Sequence, residues 1–80
     1  MSERFPNVDS KQMVKVILKL GFVFKRQTGS SHAIYFRESD KRRTTIPIHG
    51  KKAIKRKTVK SICRDMDITI NELNDLLKKV

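Results

Sequence analysis

Three short runs of β-branched and aromatic residues, separated by two polar turns, constrain the fold of this chain most. The runs lie at residues 22–26, 32–37 and 43–48. Short turns between such runs predict antiparallel neighbours, because parallel strands need a longer crossover. In the third run, Pro47 cannot donate a hydrogen bond to a neighbouring strand, so this run is predicted to be an edge strand. We predict a three-stranded antiparallel sheet.

Alternating apolar residues predict which face of this sheet is buried. Ile34 and Phe36 share one side of the second strand, and Ile46 and Ile48 share one side of the third. An antiparallel sheet with one apolar face needs helices on that face. We therefore predict an α+β fold in which helices cover the side carrying these four residues.

Three segments with helical spacing supply those helices. The first and third begin with capping-box pairs, Asp9 with Gln12 and Thr69 with Glu72, and the second begins near Arg56. The predicted core residues are Met13, Val14, Val16, Ile17, Leu18 and Leu20 in the first helix, Val59, Ile62, Cys63 and Met66 in the second, and Leu73, Leu76 and Leu77 in the third.

The chain length limits the size of any internal site. Residues 1–80 are predicted to form one domain, and a chain of this size buries only about 60% of its unfolded surface. We therefore expect a ligand that is bound on an open face. The lone Cys63 allows no internal disulfide, and no long apolar run predicts a membrane span. These features favour a cytoplasmic protein that does not contact a membrane.

The charge pattern favours a nucleic-acid partner. Lys and Arg number 19 against 8 Asp and Glu, which gives a formal charge of +11. Ten of the basic residues lie between Lys41 and Arg64, a stretch without a single acid. A solvated lysine-rich surface is the alternative, but a mixture of charges would serve solubility equally well.

His32 is the candidate catalytic residue, because a small-residue turn containing Gly29 delivers it to the start of the second strand. Metal-free RNA cleavage needs a base for the 2′-OH and an acid for the leaving 5′-oxygen, and imidazole suits both tasks. A purely structural histidine is the alternative. Two histidines and one cysteine at these spacings form no recognised metal site, so we predict no metal and no cofactor.

The residues expected near phosphates are small or basic and lie in the turns and strand ends. Basic side chains attract the nucleic-acid backbone, and small residues let it approach closely. In the cleavage reaction, a lysine or a water molecule could provide the proton for the leaving 5′-oxygen. The predicted nucleic-acid-binding residues are Lys25, Arg26, Gly29, Ser30, Ser31, Arg42, Arg43, His49, Lys51 and Lys52.

Three blocks in this order resemble the HicA family of bacterial toxins over about residues 10–70. They are Leu20-Gly21-Phe22 with Arg26-Gln27, Gly29-Ser30-Ser31-His32 with Tyr35, and Ile46-Pro47-Ile48-His49-Gly50-Lys51. The usual Gly-Ser-His of the family is one residue longer here. Counting back from Tyr35 puts His32 at the position of the family's catalytic histidine.

The resemblance implies a fold, an activity and a partner. The fold is similar to the double-stranded-RNA-binding domain, here with an extra C-terminal helix. The activity is that of a ribosome-independent mRNA interferase, an endoribonuclease that cuts mRNA. The partner is a HicB-type antitoxin, which is expected to cover the basic surface and block His32. The alternative left open by the residues themselves is a non-catalytic module that binds RNA or DNA.

Overall fold

The chain folds in the order α-β-β-β-α-α in a computed structural model that describes residues 5–29, 31–48 and 52–80. The predicted α+β class is confirmed, and the first five elements are consistent with the double-stranded-RNA-binding-domain-like fold. The elements are α1 (Ser10–Lys19), β1 (Val23–Thr28), β2 (His32–Arg37), β3 (Arg42–Pro47), α2 (Arg56–Met66) and α3 (Ile70–Lys79).

Helix α1 has the predicted capping box at its start and a glycine after its end. The Gln12 N–H donates to Asp9 Oδ1 at 2.8 Å, and the Asp9 N–H donates to Gln12 Oε1 at 3.0 Å. Gly21 has a φ of +93°, and the Phe22 N–H donates to the Ile17 carbonyl at 3.0 Å. This pattern is a Schellman motif, which buries Phe22 against the helix. The prediction that Phe22 begins the first strand is therefore wrong by one residue.

Strand β2 is the centre of the sheet, with β1 and β3 on either side. Within the described residues, β3 pairs with no strand other than β2, so the edge position predicted from Pro47 is confirmed. Strand β1 continues to Thr28, two residues beyond its predicted end, and β3 begins and ends one residue earlier than predicted. The β1–β2 turn is correspondingly shorter than expected.

The buried face of β2 is the opposite of the predicted one. Ala33 and Tyr35 are buried, and they lie opposite Ile46 and Thr44 of β3, which are buried as well. Ile34 and Phe36 point to the other face and are only half-buried. Ile48 lies beyond β3 and is exposed. The prediction rested on the parity of apolar residues within each strand, whereas the face of β2 that is buried depends on its pairing with the neighbouring strands. We call the side carrying Ala33 and Tyr35 the core face and the other side the outer face.

A β-bulge at Lys25 shifts the pairing of β1 with β2. Phe24 lies opposite Tyr35 on the core face, whereas Arg26 lies opposite Ile34 on the outer face. Lys25 is the extra residue, and its Nζ lies 4.9 Å from the centre of the Phe36 ring. All six residues of β1 are exposed, so the core does not extend beneath this strand.

The helices pack on the core face, as predicted. The predicted stripe of α2 is buried along its whole length, including Cys63, whose thiol lies in the core. Leu73 of α3 is fully buried, while Leu76 and Leu77 are partly buried against the core. In α1, the prediction that Leu18 is a core residue is wrong, because half of its surface is exposed.

Arg37 joins the end of α1 to the β2–β3 turn. Its Nη1 donates to the Leu20 carbonyl at 2.8 Å, and its guanidinium lies 4.7 Å from the centre of the Phe22 ring. Its Nε and Nη2 also donate to the two carboxylate oxygens of Asp40 at 3.0 and 2.7 Å. This paired hydrogen bond lowers the pKa of the Asp40 carboxyl to about 2.

Candidate active site

His32 is held at the start of the central strand by partners on both sides. It lies opposite Thr28 of β1 and Pro47 of β3. Just beyond it, the Ile48 N–H donates to the Ser31 carbonyl at 2.7 Å, which extends the pairing into the turn. Its backbone is therefore fixed by the sheet, while its side chain is exposed on the outer face.

The His32 side chain lines a cleft of about 520 Å³ between the end of the sheet and the start of α2. Lys52 and Lys55 bring two exposed ammonium groups to this cleft. Thr45 and Thr58 bring hydroxyl groups. Among the described lining residues, His32 is the one imidazole, and none is a carboxylate. The cleft thus combines one imidazole with two ammonium groups.

Lys52 and Lys55 lie on the segment just before α2, and contacts with the N-terminal segment hold it in place. The Ile54 N–H donates to the Val8 carbonyl at 2.8 Å, and Ala53 forms an isolated β-bridge with Asp9. The buried Ser10 hydroxyl donates to the Pro47 carbonyl. These contacts join the start of α1, the end of β3 and the segment before α2 around one side of the cleft.

The start of α2 adds backbone donors at this position. Lys55 is the N-cap residue and makes no side-chain capping hydrogen bond. The first N–H groups of a helix have no partner within the helix, and they carry the positive end of the helix dipole. Together with the ammonium groups, these donors make this end of the cleft suited to a phosphate.

Three predicted phosphate contacts share the outer face with His32. Arg26 lies opposite Ile34, two residues along β2 from His32, which corresponds to about 7 Å. Arg43 lies opposite Phe36, near the far end of the strand, and the Lys25 ammonium lies over the same Phe36 ring. The outer face is therefore an open basic surface that leads away from the cleft.

Arg42 is placed differently from the other predicted contacts. It forms ion pairs with Asp40 at 3.2 Å and with Asp67 at 3.7 Å, and its Nη1 donates to the Asp65 carbonyl at 3.2 Å. It also lies opposite Arg37, at the end of the sheet remote from His32. Its side chain joins β3 to the end of α2, and the structure does not bring it to the cleft.

The turn before His32 contains two predicted residues that the structure describes. Gly29 has a φ of +60°, and apart from Gly29 and its two chain neighbours, no atom of the described residues lies within 4 Å of the position that a Cβ would occupy. Ser31 is half-buried, and its carbonyl is the group that accepts from Ile48. The predictions for Ser30, His49 and Lys51 lie outside the described residues.

Three polar residues that line the cleft were not predicted from the sequence: Thr45, Lys55 and Thr58. Thr45 and Pro47 are two residues apart in β3, so they lie on the same face of the strand. Lys55 and Thr58 are three residues apart at the start of α2, so they lie on the same side of the helix. Both signals were present in the sequence. Only the packing of α2 beside β3 shows that they meet at His32.

No group of three or more His, Cys, Asp or Glu side chains among residues 5–29, 31–48 and 52–80 could hold a metal ion. None of the helices in these ranges has the length and apolar content that a membrane span requires.

The family model for the HicA toxin of bacterial toxin-antitoxin systems matches residues 10–68. The chain belongs to the HicA toxin family. No curated protein matches it. The matched region of this HicA toxin begins with α1 and ends just after α2, so it contains the sheet, the cleft and His32, while α3 lies outside it. Membership of the family implies a toxin-antitoxin system with a partner antitoxin.

Proposed function

We propose that this HicA-family chain is a metal-independent, ribosome-independent endoribonuclease that cuts mRNA with His32 as its general acid-base group. The observation that carries this proposal is the position of His32 in a basic cleft beside Lys52, Lys55 and the start of α2. Family membership supports it, because HicA proteins are the toxins of toxin-antitoxin systems. We propose the cytoplasm, where mRNA is present, as its location.

The proposed reaction begins at the ribose 2′-OH of the substrate. The His32 imidazole takes the proton from this hydroxyl as its oxygen attacks the adjacent phosphorus. The bond from phosphorus to the 5′-oxygen then breaks, and the leaving oxygen takes a proton from a lysine ammonium or from water. The products are a 2′,3′-cyclic phosphate and a 5′-hydroxyl end.

The lysines of the cleft are proposed to stabilise the negative charge that develops on the phosphate oxygens. Lys52 and Lys55 both line the cleft with His32, and the N–H groups at the start of α2 lie on the same side. Fixed positive groups aimed at a developing charge are usually a large part of catalysis. Lys25, Arg26 and Arg43 would hold the flanking RNA on the outer face.

The outer face also supports a second candidate function. Its cations lie outside the cleft, and the half-buried Phe36 lies beneath the Lys25 ammonium. Such a surface could hold RNA or DNA without any reaction, in which case His32 would contribute only a hydrogen bond. The two functions differ in whether His32 is required for cleavage.

The test is incubation of an end-labelled single-stranded RNA with the purified chain and with His32→Ala, in excess EDTA. Loss of a general acid-base group is expected to slow cleavage by about 10²- to 10⁴-fold, with RNA affinity retained. Thr28→Ala, on the same face opposite His32, serves as the matched control and is expected to cleave normally. A substrate with one 2′-deoxynucleotide should resist cleavage at that position. If the unaltered chain binds this RNA and does not cut it, the non-catalytic function replaces the nuclease.

A further inference from the structure

An apolar groove opens on the core face between the first turns of α1 and strand β2, and it shares no lining residue with the cleft. It has a volume of about 390 Å³, and its lining includes Val14 of α1 together with Ala33, Tyr35 and Ile48. The Phe24 ring packs edge-on against Tyr35 with 5.7 Å between ring centres. Helix α1 therefore covers the β3 side of the core face and leaves the β1 side uncovered.

Large apolar side chains stay exposed around this groove. Leu18 is 50% exposed, Phe24 is 54% exposed and Ile48 is 43% exposed. Leu18 lies one helical turn after Val14 on α1, so it continues the wall that Val14 begins. Contiguous exposed apolar surface of this kind marks a site of association with another molecule.

The free edge of β1 lies next to the groove through Phe24, whose ring packs against the groove residue Tyr35. Within the described residues, β1 pairs with β2 on one side and with no strand on the other. An unpaired edge offers a row of backbone N–H and C=O groups to an added strand. An incoming strand would place alternate side chains on the two faces of the sheet. Those on the core face would meet Phe24 and Leu18, and those on the outer face would meet Arg26.

Charge decides between the possible occupants of this edge. A second copy would bring the Lys25 and Arg26 pairs of two β1 strands together, on chains that each carry a formal charge of +11. RNA would find apolar lining in the groove, whereas the cations of the sheet lie on the outer face. An extended protein segment with acidic side chains complements the surface, because Lys11 lines the groove and Lys15 is exposed on the next turn of α1. Asp9 also lines the groove, but its carboxylate accepts a hydrogen bond from the Gln12 N–H at the start of α1.

We infer that the groove and the edge of β1 together bind an extended segment of the partner antitoxin in which apolar and acidic residues alternate. Its apolar side chains enter the groove between Leu18 and Phe24, and its acidic side chains pair with Arg26 and Lys25 on the outer face. The inference rests on membership of a toxin family that has a partner antitoxin, and it does not require His32 to be catalytic. It predicts a contact on the chain that is separate from the cleft.

The test measures the affinity of the partner antitoxin protein for the variants Leu18→Glu and Phe24→Glu. Each substitution adds a negative charge at an exposed apolar position, and each is expected to weaken binding at least tenfold. Val80→Glu is the matched control, because Val80 is similarly exposed and lies outside the groove. RNA cleavage by the same variants without antitoxin should stay within twofold of that of the unaltered chain.

Hydrogen exchange gives a second measurement that does not depend on a substitution. In the complex, amide hydrogens along β1 are expected to exchange at least tenfold more slowly than in the free chain. Unchanged affinity of both groove variants, or protection confined to other elements, would overturn the inference. A groove variant that loses affinity for RNA or disrupts a dimer, while it binds the antitoxin normally, would assign the groove to RNA or to a second copy. Loss of cleavage in His32→Ala tests the proposed reaction separately.

Discussion

Thr28 and His32 lie directly opposite each other across the β1–β2 hairpin, so only residues 29–31 connect the two strands. Gly29 begins this turn with a φ of +60°. The position of the candidate catalytic residue therefore depends on a short connection whose first residue adopts the left-handed conformation. This relationship makes the turn a sensitive place to test the site.

Gly29→Ala is expected to lower the free energy of unfolding by about 1 to 2 kcal/mol, which is the typical cost of a left-handed conformation for a residue with a Cβ. Beyond the two chain neighbours of Gly29, no atom of the described residues lies close enough to clash with the new methyl group, so the effect is expected from the backbone conformation. Gly29→Asn should cost less, because asparagine adopts this conformation more readily. Urea unfolding of the three proteins measures the differences. Equal stability of the glycine and alanine forms would contradict this cost of a positive φ at residue 29.

Lys55→Gln is expected to weaken RNA binding and to reduce its dependence on salt. Removal of one phosphate contact should lower the slope of log affinity against log salt by about 0.7 for single-stranded RNA. Lys57→Gln is the matched control, because Lys57 is an exposed lysine of the same helix that is not among the residues lining the cleft. Titrations at several salt concentrations give both slopes. If Lys57→Gln changes the slope as much as Lys55→Gln, RNA does not bind preferentially at the cleft.

Thr44→Val should destabilise the chain, because the buried Thr44 hydroxyl donates to Asp65 Oδ2 at 3.0 Å and joins β3 to α2. A hydrogen bond to a charged group contributes about 1.5 kcal/mol or more, so a loss of that order is expected in urea unfolding. Thr45→Val, at the next position and on the outer face, is expected to change stability by less than about 0.5 kcal/mol. A larger effect at position 45 than at 44 would contradict the assignment of the two faces.

Asp40→Asn is expected to remove a contribution to stability that depends on pH. The hydrogen bonds from Arg37 lower the Asp40 pKa from 3.8 to about 2 in the folded chain. A carboxyl group with a lowered pKa stabilises the fold above its unfolded pKa, and this contribution is lost as the pH falls through the folded value. The difference in stability between the unaltered chain and Asp40→Asn should therefore be constant above about pH 5 and shrink towards pH 2.

The matched control for this pH dependence is Glu38→Gln in the same turn. Glu38 pairs with Lys41, and both side chains are well exposed, so this ion pair should contribute little to stability. Urea unfolding at pH 6, 4, 3 and 2 compares the three proteins. A constant difference between the unaltered chain and Asp40→Asn down to pH 2 would disagree with the lowered pKa.

The order of the elements was predictable because its signals are local. The two capping boxes, at Asp9 and Thr69, depend on residues three positions apart, and both are present. The buried face of β2 was not predictable in the same way. Phe36 is more hydrophobic than Ala33, yet Ala33 lies opposite Ile46 in the core, and Phe36 lies on the outer face under Lys25. The face of β2 that is buried depends on cross-strand pairing and on the bulge in β1, and neither can be recognised from the sequence of one strand alone.

The candidate site was predictable to a similar degree. His32 stands at the start of β2 as expected, because the turn and the strand are encoded within a few residues. Lys52 reaches the same cleft. The basic charge of Arg42 suggested a phosphate contact, but Asp40 and Asp67 lie close enough to pair with it. Lys55 was missed because its closeness to His32 depends on how α2 packs beside β3.

The bulge at Lys25 also affects how this chain should be aligned with its relatives. Phe24 and Arg26 have the same parity in the sequence, yet they occupy opposite faces of the sheet, because the intervening residue is not counted in the pairing. A relative with a regular first strand would present the same two faces with one residue fewer. An alignment by structure would therefore place a one-residue gap at position 25, whereas an ungapped alignment would exchange the inward and outward positions on one side of it.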